Sequence, residues 1–324
     1  MVATPGANQR FVDGGVAPSA GSRGRPSLRR RIWRDRWMYV FFLPGVCYFL
    51  VFVYLPLAGN IIAFKDYSPF LGFARSPWVG LENFERLFTD PDFKLALTNT
   101  LQIEGLQLLF AFPAPLGLAL LLNSMVSDRA KRLVQSIVYL PHFLSWVIVI
   151  SLWQQIFGGA GFLNQVLRDQ GMATVNIMSN PDLFKPMVVL QVIWKEAGWG
   201  TILFLAALTK IDIQLYEAAV IDGAGGWRRL RDVTLPGIRS VIVLLLILRL
   251  AFALSVGFEQ YYLQRNAVGA GAAEVLDTFI YFRGIQNGDW GFATAVGLVR
   301  GIIGAILILG ANWAAKRFGE EGIL

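Results

Sequence analysis

The stretch EAAVIDGAGGWRRLRDVTLP, Glu217–Pro236, is a polar island between two strongly apolar segments. Small and apolar residues recur here at steps of three and four, so that one helical face carries Tyr216, Ala219, Val220 and Ala224. Three glycines then break this helix, because glycine permits a sharp change of direction: Gly223, Gly225 and Gly226. We predict a short helix, a turn and a second short helix at the membrane surface, with small residues that let another protein approach closely.

The composition around this island is typical of a polytopic membrane protein. Apolar residues make up 55% of the 324 residues and charged residues only 16%. The single cysteine, Cys47, excludes a disulfide within the chain, and the single histidine, His142, gives no pattern for a metal site. The net charge of +7 lies in arginines beside apolar segments, which predicts orientation in the membrane and contact with lipid rather than nucleic-acid binding.

Six segments are long and apolar enough to cross a bilayer, which takes roughly 20 residues. We predict spans at approximately 38–64, 95–123, 133–157, 187–209, 238–262 and 290–315. Residues 1–37 are predicted to form a disordered basic tail, since they are rich in small residues and proline and end in a run of arginines. The remainder, 38–324, is predicted to be one six-helix transmembrane domain with a cytoplasmic loop at 210–237.

The distribution of basic residues predicts which side each connection faces, because loops rich in Lys and Arg stay in the cytoplasm. Basic residues exceed acidic ones in the tail, in the loop 124–132, around the polar island and after the last span, whereas the other connections are balanced or acidic. We therefore expect both termini and the polar island in the cytoplasm. The long external connections 65–94 and 158–186 are interpreted either as lids or docking surface for an external partner, or as loops packed on the bundle rim.

The polar island resembles the EAA loop of ABC-importer permeases in three parts at the family's spacing: Glu217-Ala218-Ala219, Gly223 and Leu235-Pro236. The departure is Val233, where the family usually has isoleucine. Other segments are similar to the carbohydrate branch of these permeases: Trp78–Phe84 (WVGLENF), Asn99-Thr100 and Tyr139–Pro141. A third group resembles permeases for oligosaccharides and polysaccharides, such as the first permease subunit of bacterial alginate importers: Phe258–Gln260, Leu276–Phe279 and Ala293–Leu298.

This resemblance covers nearly all of the chain after residue 38, and it implies an all-α integral membrane fold, the six-helix bundle of type I, maltose-permease-like importers. It also implies a heterodimer with a second permease subunit, two ATPase subunits that carry ATP and Mg, and a periplasmic solute-binding protein, at the bacterial inner membrane. This chain would hold no cofactor. In the family the EAA loop is a coupling helix that contacts the ATPase, so the implied coupling residues are Glu217, Ala218, Ala219, Asp222, Gly223, Ala224, Leu235 and Pro236.

Charged residues inside the spans have two interpretations, because each costs about 2.5–3.5 kcal/mol unless it meets a partner or a wet cavity. The first is that they pair with one another, for example as Arg249 with Glu259 or Arg300 with Glu104. The second is a polar, aromatic-lined path for a sugar. The fork of arginine suits carboxylates, so two mid-span arginines favour an acidic, alginate-like polysaccharide.

Arg249 is the leading path candidate, since the resemblance to maltose-type permeases implies a sugar contact early in this helix. It is expected to share a helical face with Phe252, Ala253 and Val256. The full set of path candidates is Arg249, Phe252, Ala253, Val256, Glu259, Tyr261, Trp194, Lys195 and Arg300.

The predicted function is therefore that of a permease subunit which translocates an oligo- or polysaccharide by ATP-driven alternating access. The chain has no G-x-x-x-x-G-K-[ST] phosphate loop, so it cannot hydrolyse ATP alone. An integral-membrane enzyme acting on a lipid or glycan would need paired carboxylates or a His/Asp cluster. A channel or proton-coupled carrier would need a titratable relay within the spans. A permease of the same family for a neutral sugar also remains open.

Overall fold

The computed structural model describes residues 33, 35–317 and 319, so the predicted tail lies almost entirely outside the described residues. The described residues are helical or irregular, apart from one isolated antiparallel bridge between Lys65 and Trp78. The first helix begins at Arg36. The expected all-α fold class is confirmed for this part of the chain.

Five helices are long and apolar enough to cross a membrane, and a sixth crossing results if one bent pair of helices counts as a single span. The five are Arg36–Phe64, Pro91–Asn123, Trp146–Asp169, Pro181–Leu208 and Trp290–Arg317. The bent pair, Gly226–Gly237 and Arg239–Ala251, meets at 62°. We call these six segments the first to the sixth span in chain order, the bent pair being the fifth.

The chain divides into two units, one up to Ala58 and one from Gly59 onward, and each is described by itself. The described part of the first unit is a single helical run with Pro44 inside it, and none of its helical residues is buried. The second unit holds the other spans. Its shorter helices are Gly59–Phe64, Gly72–Arg75, Glu82–Thr89, Asp128–Tyr139, Leu140–Phe143, Ile213–Ile221, Glu259–Val268, Ala270–Ala273, Leu276–Ile280 and Tyr281–Gln286.

Three π-helical turns each end two residues before a proline. Leu50–Tyr54 precedes Pro56, Gln107–Ala111 precedes Pro113, and Leu230–Thr234 precedes Pro236. Proline has no N–H and its ring clashes with the carbonyl four residues earlier, and that carbonyl lies within the π turn in each case. The widened turn accommodates the proline without ending the helix.

Two predicted spans are interrupted in the structure. In the predicted span 133–157, one helix ends at Tyr139, a 3₁₀ turn covers Leu140–Phe143, and the third span starts at Trp146. Pro141 lies in this break, where a missing N–H is tolerated. The predicted span 238–262 ends at Ala251, and the helix resumes only at Glu259–Val268.

The fourth span is the most buried of the candidate spans, with 50% of its apolar window inside the protein. Its N-terminal half packs Phe184 and Val188 against Ile103 of the second span and against Tyr261. Its C-terminal end forms a second cluster, in which Phe204, Ala207 and Leu208 pack with Ala119 of the second span and with Ile238 at the bend of the fifth span. This second cluster fixes the bend of the fifth span against the bundle.

Gly198 marks the closest approach of the fourth span to its neighbour. A Cβ built on Gly198 would lie 1.8 Å from the backbone oxygen of Val138, which is far inside any real contact. The fourth span can therefore cross the end of the Asp128–Tyr139 helix here only through a glycine.

We expect Gly198→Ala to destabilise the protein by about 3 kcal/mol or more, because the clash is with backbone that has no rotamer to change. Thermal unfolding of the detergent-solubilised protein measures this as a lower Tm. Gly297→Ala is the matched control, since a Cβ on Gly297 has nothing within 4 Å and alanine favours a helix by up to about 1 kcal/mol. Equal Tm values for the two variants would contradict the close crossing.

Candidate functional site

The first half of the polar island is the helix Ile213–Ile221, as predicted. Asp212 caps its start by accepting a hydrogen bond from the amide of Gln214 at 2.9 Å. The helix ends in a left-handed residue, Gly223, with φ of 73°. The amide of Ala224 then donates to the oxygen of Ala219 at 2.8 Å, which is the hydrogen bond that closes a Schellman turn.

The second half of the polar island is helical from Gly226 to Gly237, so Gly226 begins a helix rather than breaking one. The two halves are joined by a hydrogen bond of 2.9 Å between the hydroxyls of Tyr216 and Thr234. Beyond the 62° bend, the same chain continues directly into Arg239–Ala251. The island is therefore connected through the bend to the second helix of the fifth span.

The surface of the polar island is open and partly apolar. Ala219, Ala224 and Leu235 are half-buried, whereas the other implied coupling residues are exposed: Glu217, Ala218, Asp222, Gly223 and Pro236. Large apolar side chains stand around these small residues, with 70% of Ile213, 85% of Ile221 and 76% of Trp227 exposed. An apolar patch of this kind marks a contact surface for a protein or a membrane.

Arg249 lies in an interior polar network, not beside Glu259 as the pairing interpretation suggested. Its Nε and Nη2 donate to the two carboxylate oxygens of Glu104, both at 2.9 Å, and Nη2 also donates to the side-chain oxygen of Gln107. Gln107 in turn donates to the hydroxyl of Tyr261 at 3.2 Å. This network joins the second span to both helical parts on either side of the 252–258 break.

Arg300 pairs with Asp277, and not with Glu104 as the sequence suggested. The other oxygen of Asp277 accepts a hydrogen bond from the amide of Gly257 at 3.3 Å. Asp277 therefore links the sixth span to the non-helical segment 252–258. Glu259 is exposed and makes no ion pair with any described residue.

A third cluster surrounds Lys195 and includes residues that the sequence did not place there. Lys195 contacts the carboxylate of Glu196 at 3.0 Å and donates to the backbone oxygen of His142 at 2.8 Å. The ring of His142 bonds the same carboxylate at 2.7 Å through Nδ1 and stacks on Trp199 at 4.5 Å. The only sequence signal for this cluster is that His142, the single histidine, lies within an apolar run. That position does not identify Glu196 or Trp199 as its partners.

Buried glutamines form a fourth group, which pins the helix Glu259–Val268 to the fourth span. The side-chain oxygen of Gln191 accepts from Gln260 at 2.8 Å and from Gln264 at 3.1 Å, and its amide donates to Gln264 at 3.0 Å. All three side chains are at least 98% buried. The spacing of Gln260 and Gln264 by four residues places them on one helical face, but it does not identify Gln191 as their partner.

The remaining path candidates divide by exposure. Phe252 and Trp194 are 68% and 42% exposed, whereas Ala253 and Tyr261 are buried and Val256 is half-buried. The expectation that Phe252, Ala253 and Val256 share a helical face with Arg249 is wrong, because the helix ends at Ala251.

Comparison with known proteins identifies the class. A family model described as the inner membrane component of binding-protein-dependent transport systems matches residues 111–319. Two relatives come from Bacillus subtilis (strain 168). Protein LplB is 50% identical over 90% of this chain and 92% of the relative. The polygalacturonan/rhamnogalacturonan transport system permease protein YteP is 47% identical over 92% of this chain and 94% of the relative.

A solved structure gives the same result. It is a bacterial alginate ABC transporter in complex with an alginate pentasaccharide-bound periplasmic protein, and one of its chains matches with a TM-score of 0.84 at 37% identity. The match covers 91% of this chain and 99% of the other. The chain therefore belongs to the binding-protein-dependent transport system inner membrane component family, with the type I importer permease fold.

Within that family the chain is a permease component of a binding-protein-dependent transport system, and its apolar helices make it an integral membrane protein. The expected resemblance to this family is confirmed. The prediction of a transporter subunit rather than an enzyme is confirmed by relatives that are themselves transport-system permeases.

We expect Gln191→Leu to destabilise the protein by about 2 kcal/mol, because it leaves the buried amides of Gln260 and Gln264 without their shared partner. Thermal unfolding in detergent provides the measurement. Gln155→Leu is the control, since Gln155 is exposed. An unchanged Tm for Gln191→Leu would mean that the glutamine cluster contributes nothing to the packing of these helices.

Proposed function

We propose that this chain translocates an acidic oligo- or polysaccharide across the bacterial inner membrane by ATP-driven alternating access. Its partners are a second permease subunit in a heterodimer, two ATPase subunits and a periplasmic solute-binding protein. The observation that carries the proposal is the exposed, small-residue surface of the polar island, whose second helix, Gly226–Gly237, leads through a 62° bend into Arg239–Ala251. A movement imposed on that surface is transmitted to the part of the fifth span that carries Arg249.

The coupling role rests on the shape and rigidity of the polar island. The helix Ile213–Ile221 is closed at both ends by its own caps, and the hydroxyls of Tyr216 and Thr234 hold it to the second half. ATP-driven closure of the ATPase pair would shift this unit as one body. ATP and Mg belong to those partner subunits, because this chain has no phosphate loop.

The acidic nature of the cargo is supported by two relatives. YteP carries a polygalacturonan/rhamnogalacturonan name, and the superposed structure belongs to a transporter of alginate. Polygalacturonan and alginate are both polymers of uronic acids, with one carboxylate on each such unit. The chain offers groups that suit such a cargo, namely the basic side chains Arg249 and Lys195 and the exposed aromatic rings of Phe252 and Trp194.

The sidedness of the chain follows from its charges. Basic residues surround the polar island and end the sixth span, with Lys210, Arg228, Arg229, Lys316 and Arg317 on that side. Because both regions then face the cytoplasm, the ATPase subunits reach the polar island. The N-terminus lies on the same side.

We expect Glu217→Lys to release the ATPase subunits while the chain stays in the membrane, because it places a long cation in the middle of the exposed coupling surface. A lost contact at the centre of an interface costs about 2 kcal/mol, or roughly thirtyfold in retention. Co-purification of the ATPase with the tagged permease measures this. Glu85→Lys, on the exposed external helix Glu82–Thr89, is the matched control and retains the ATPase. Full retention by Glu217→Lys would argue against coupling through this surface.

We expect the reconstituted importer to take up trigalacturonate in preference to maltotriose, and Arg249→Ala to lower that uptake at least about tenfold. The substitution removes a path cation and leaves the buried carboxylate of Glu104 uncompensated, which adds repulsion for an anion. ATPase subunits remain bound to the variant. Uptake of maltotriose alone would favour the neutral-sugar permease, and normal trigalacturonate uptake by Arg249→Ala would leave Arg249 as a structural residue.

A further inference from the structure

Each basic residue of the proposed path is already in contact with a carboxylate of this chain. The pairs are Arg249 with Glu104 at 2.9 Å, Lys195 with Glu196 at 3.0 Å, and Arg300 with Asp277. An anionic sugar that passes these groups therefore meets a compensated cation at each of them. Arg249 and Arg300, the two arginines predicted to lie in mid-span, therefore do not act as free positive charges.

The Arg249 pair is asymmetric in a way that matters for a passing ligand. The side chain of Arg249 is 33% exposed, whereas that of Glu104 is only 8% exposed. Glu104 occupies the Nε and Nη2 edge of the guanidinium in a bidentate contact. Nη1 of Arg249 has no acceptor among the described residues. A passing ligand could therefore bind the accessible guanidinium through Nη1, whereas the buried carboxylate of Glu104 stays out of its reach.

The position of the guanidinium does not depend on Glu104 alone. Gln107 also accepts from Nη2, and Gln107 is held from its other side by the hydroxyl of Tyr261 at 3.2 Å. A change of Glu104 to its amide keeps one of the two acceptor oxygens and replaces the other with an NH2 group, which cannot accept from the guanidinium. Such a change therefore removes the charge and one of the two hydrogen bonds, while Gln107 still accepts from Nη2.

We propose that Glu104 is a specificity-determining residue, a built-in counter-ion that competes with the carboxylate of the cargo for Arg249 and so keeps an acidic sugar moving. This inference rests on the proposed function, because it concerns the cargo of that same path. A transport pathway must attract its substrate enough to admit it but weakly enough to release it. An uncompensated guanidinium inside a protein would hold a uronate strongly, since charge-assisted bidentate contacts are among the strongest hydrogen bonds.

The test is the kinetics of uptake by the full importer, reconstituted in proteoliposomes with its binding protein. The probes are trigalacturonate and its trimethyl ester, which share a backbone and differ in charge. We expect Glu104→Gln to lower the KM for trigalacturonate about tenfold and to lower its maximal rate by a similar factor, since release becomes slow. The KM and maximal rate for the ester stay at the wild-type values.

A second variant moves the charge in the opposite direction. Gln107→Glu adds a carboxylate at the same guanidinium, so we expect it to raise the KM for trigalacturonate about tenfold and leave the ester unchanged. Glu104→Asp, which retains the charge, restores values near those of the wild type. Asp289→Asn removes an ion pair with Arg86 in the external connections and serves as the control, with no substrate-dependent change.

The outcomes separate this inference from the proposed function. If the wild-type importer takes up neither trigalacturonate nor its ester, the proposed function is wrong and the inference is overturned with it. If the wild type transports trigalacturonate but both variants shift the two probes equally, or shift neither, the role of Glu104 is overturned while the proposed function stands. Opposite shifts of Glu104→Gln and Gln107→Glu, confined to the acidic probe, support the inference.

Discussion

A charge within a bilayer has no water to solvate it, and the contact between Arg249 of the fifth span and Glu104 of the second span is how this protein meets that constraint. The contact ties the fifth span to the second. From this contact, hydrogen bonds extend through Gln107 to Tyr261, which lies in the helix Glu259–Val268. A separate group of buried amides ties that helix to the fourth span through Gln191. Removal of one member leaves several buried polar groups without partners, so the interior behaves as one connected unit.

These anchors explain how the chain stays ordered on both sides of the break that follows the fifth span. The helix Arg239–Ala251 is held by its arginine, and the helix Glu259–Val268 is held by its glutamines and its tyrosine. The segment between them, 252–258, forms turns, in which the amide of Ser255 donates to the oxygen of Phe252 at 2.8 Å, and it is restrained by the carboxylate of Asp277. Phe252 is 68% exposed there, so its aromatic ring stands on an open surface of the protein.

Local features of this chain could be predicted from its sequence, whereas the partners of its polar residues could not. The apolar segments and the island helix depend on residues near one another, so length and periodicity were sufficient to locate them, although not to locate the breaks at 140–145 and 252–258. Arg249 and Glu104 are 145 positions apart in the sequence, whereas Glu259, the predicted partner of Arg249, is much nearer in the sequence. The helix break after Ala251 separates Arg249 from Glu259, and no periodicity marks that break. The exact spacing of the EAA residues was sufficient to identify the family.

The π turns before Pro56, Pro113 and Pro236 have a consequence for how surfaces on this protein vary. Each such turn accommodates one additional residue, which rotates everything beyond it by about 100° around the helix axis relative to an uninterrupted helix. In the second span, Glu104 precedes the turn at Gln107–Ala111 and the leucine-rich end follows it. A helical wheel drawn across the whole span therefore mixes two phases. The residues after the turn can therefore be substituted to suit the surrounding lipid without a change in the direction in which Glu104 points.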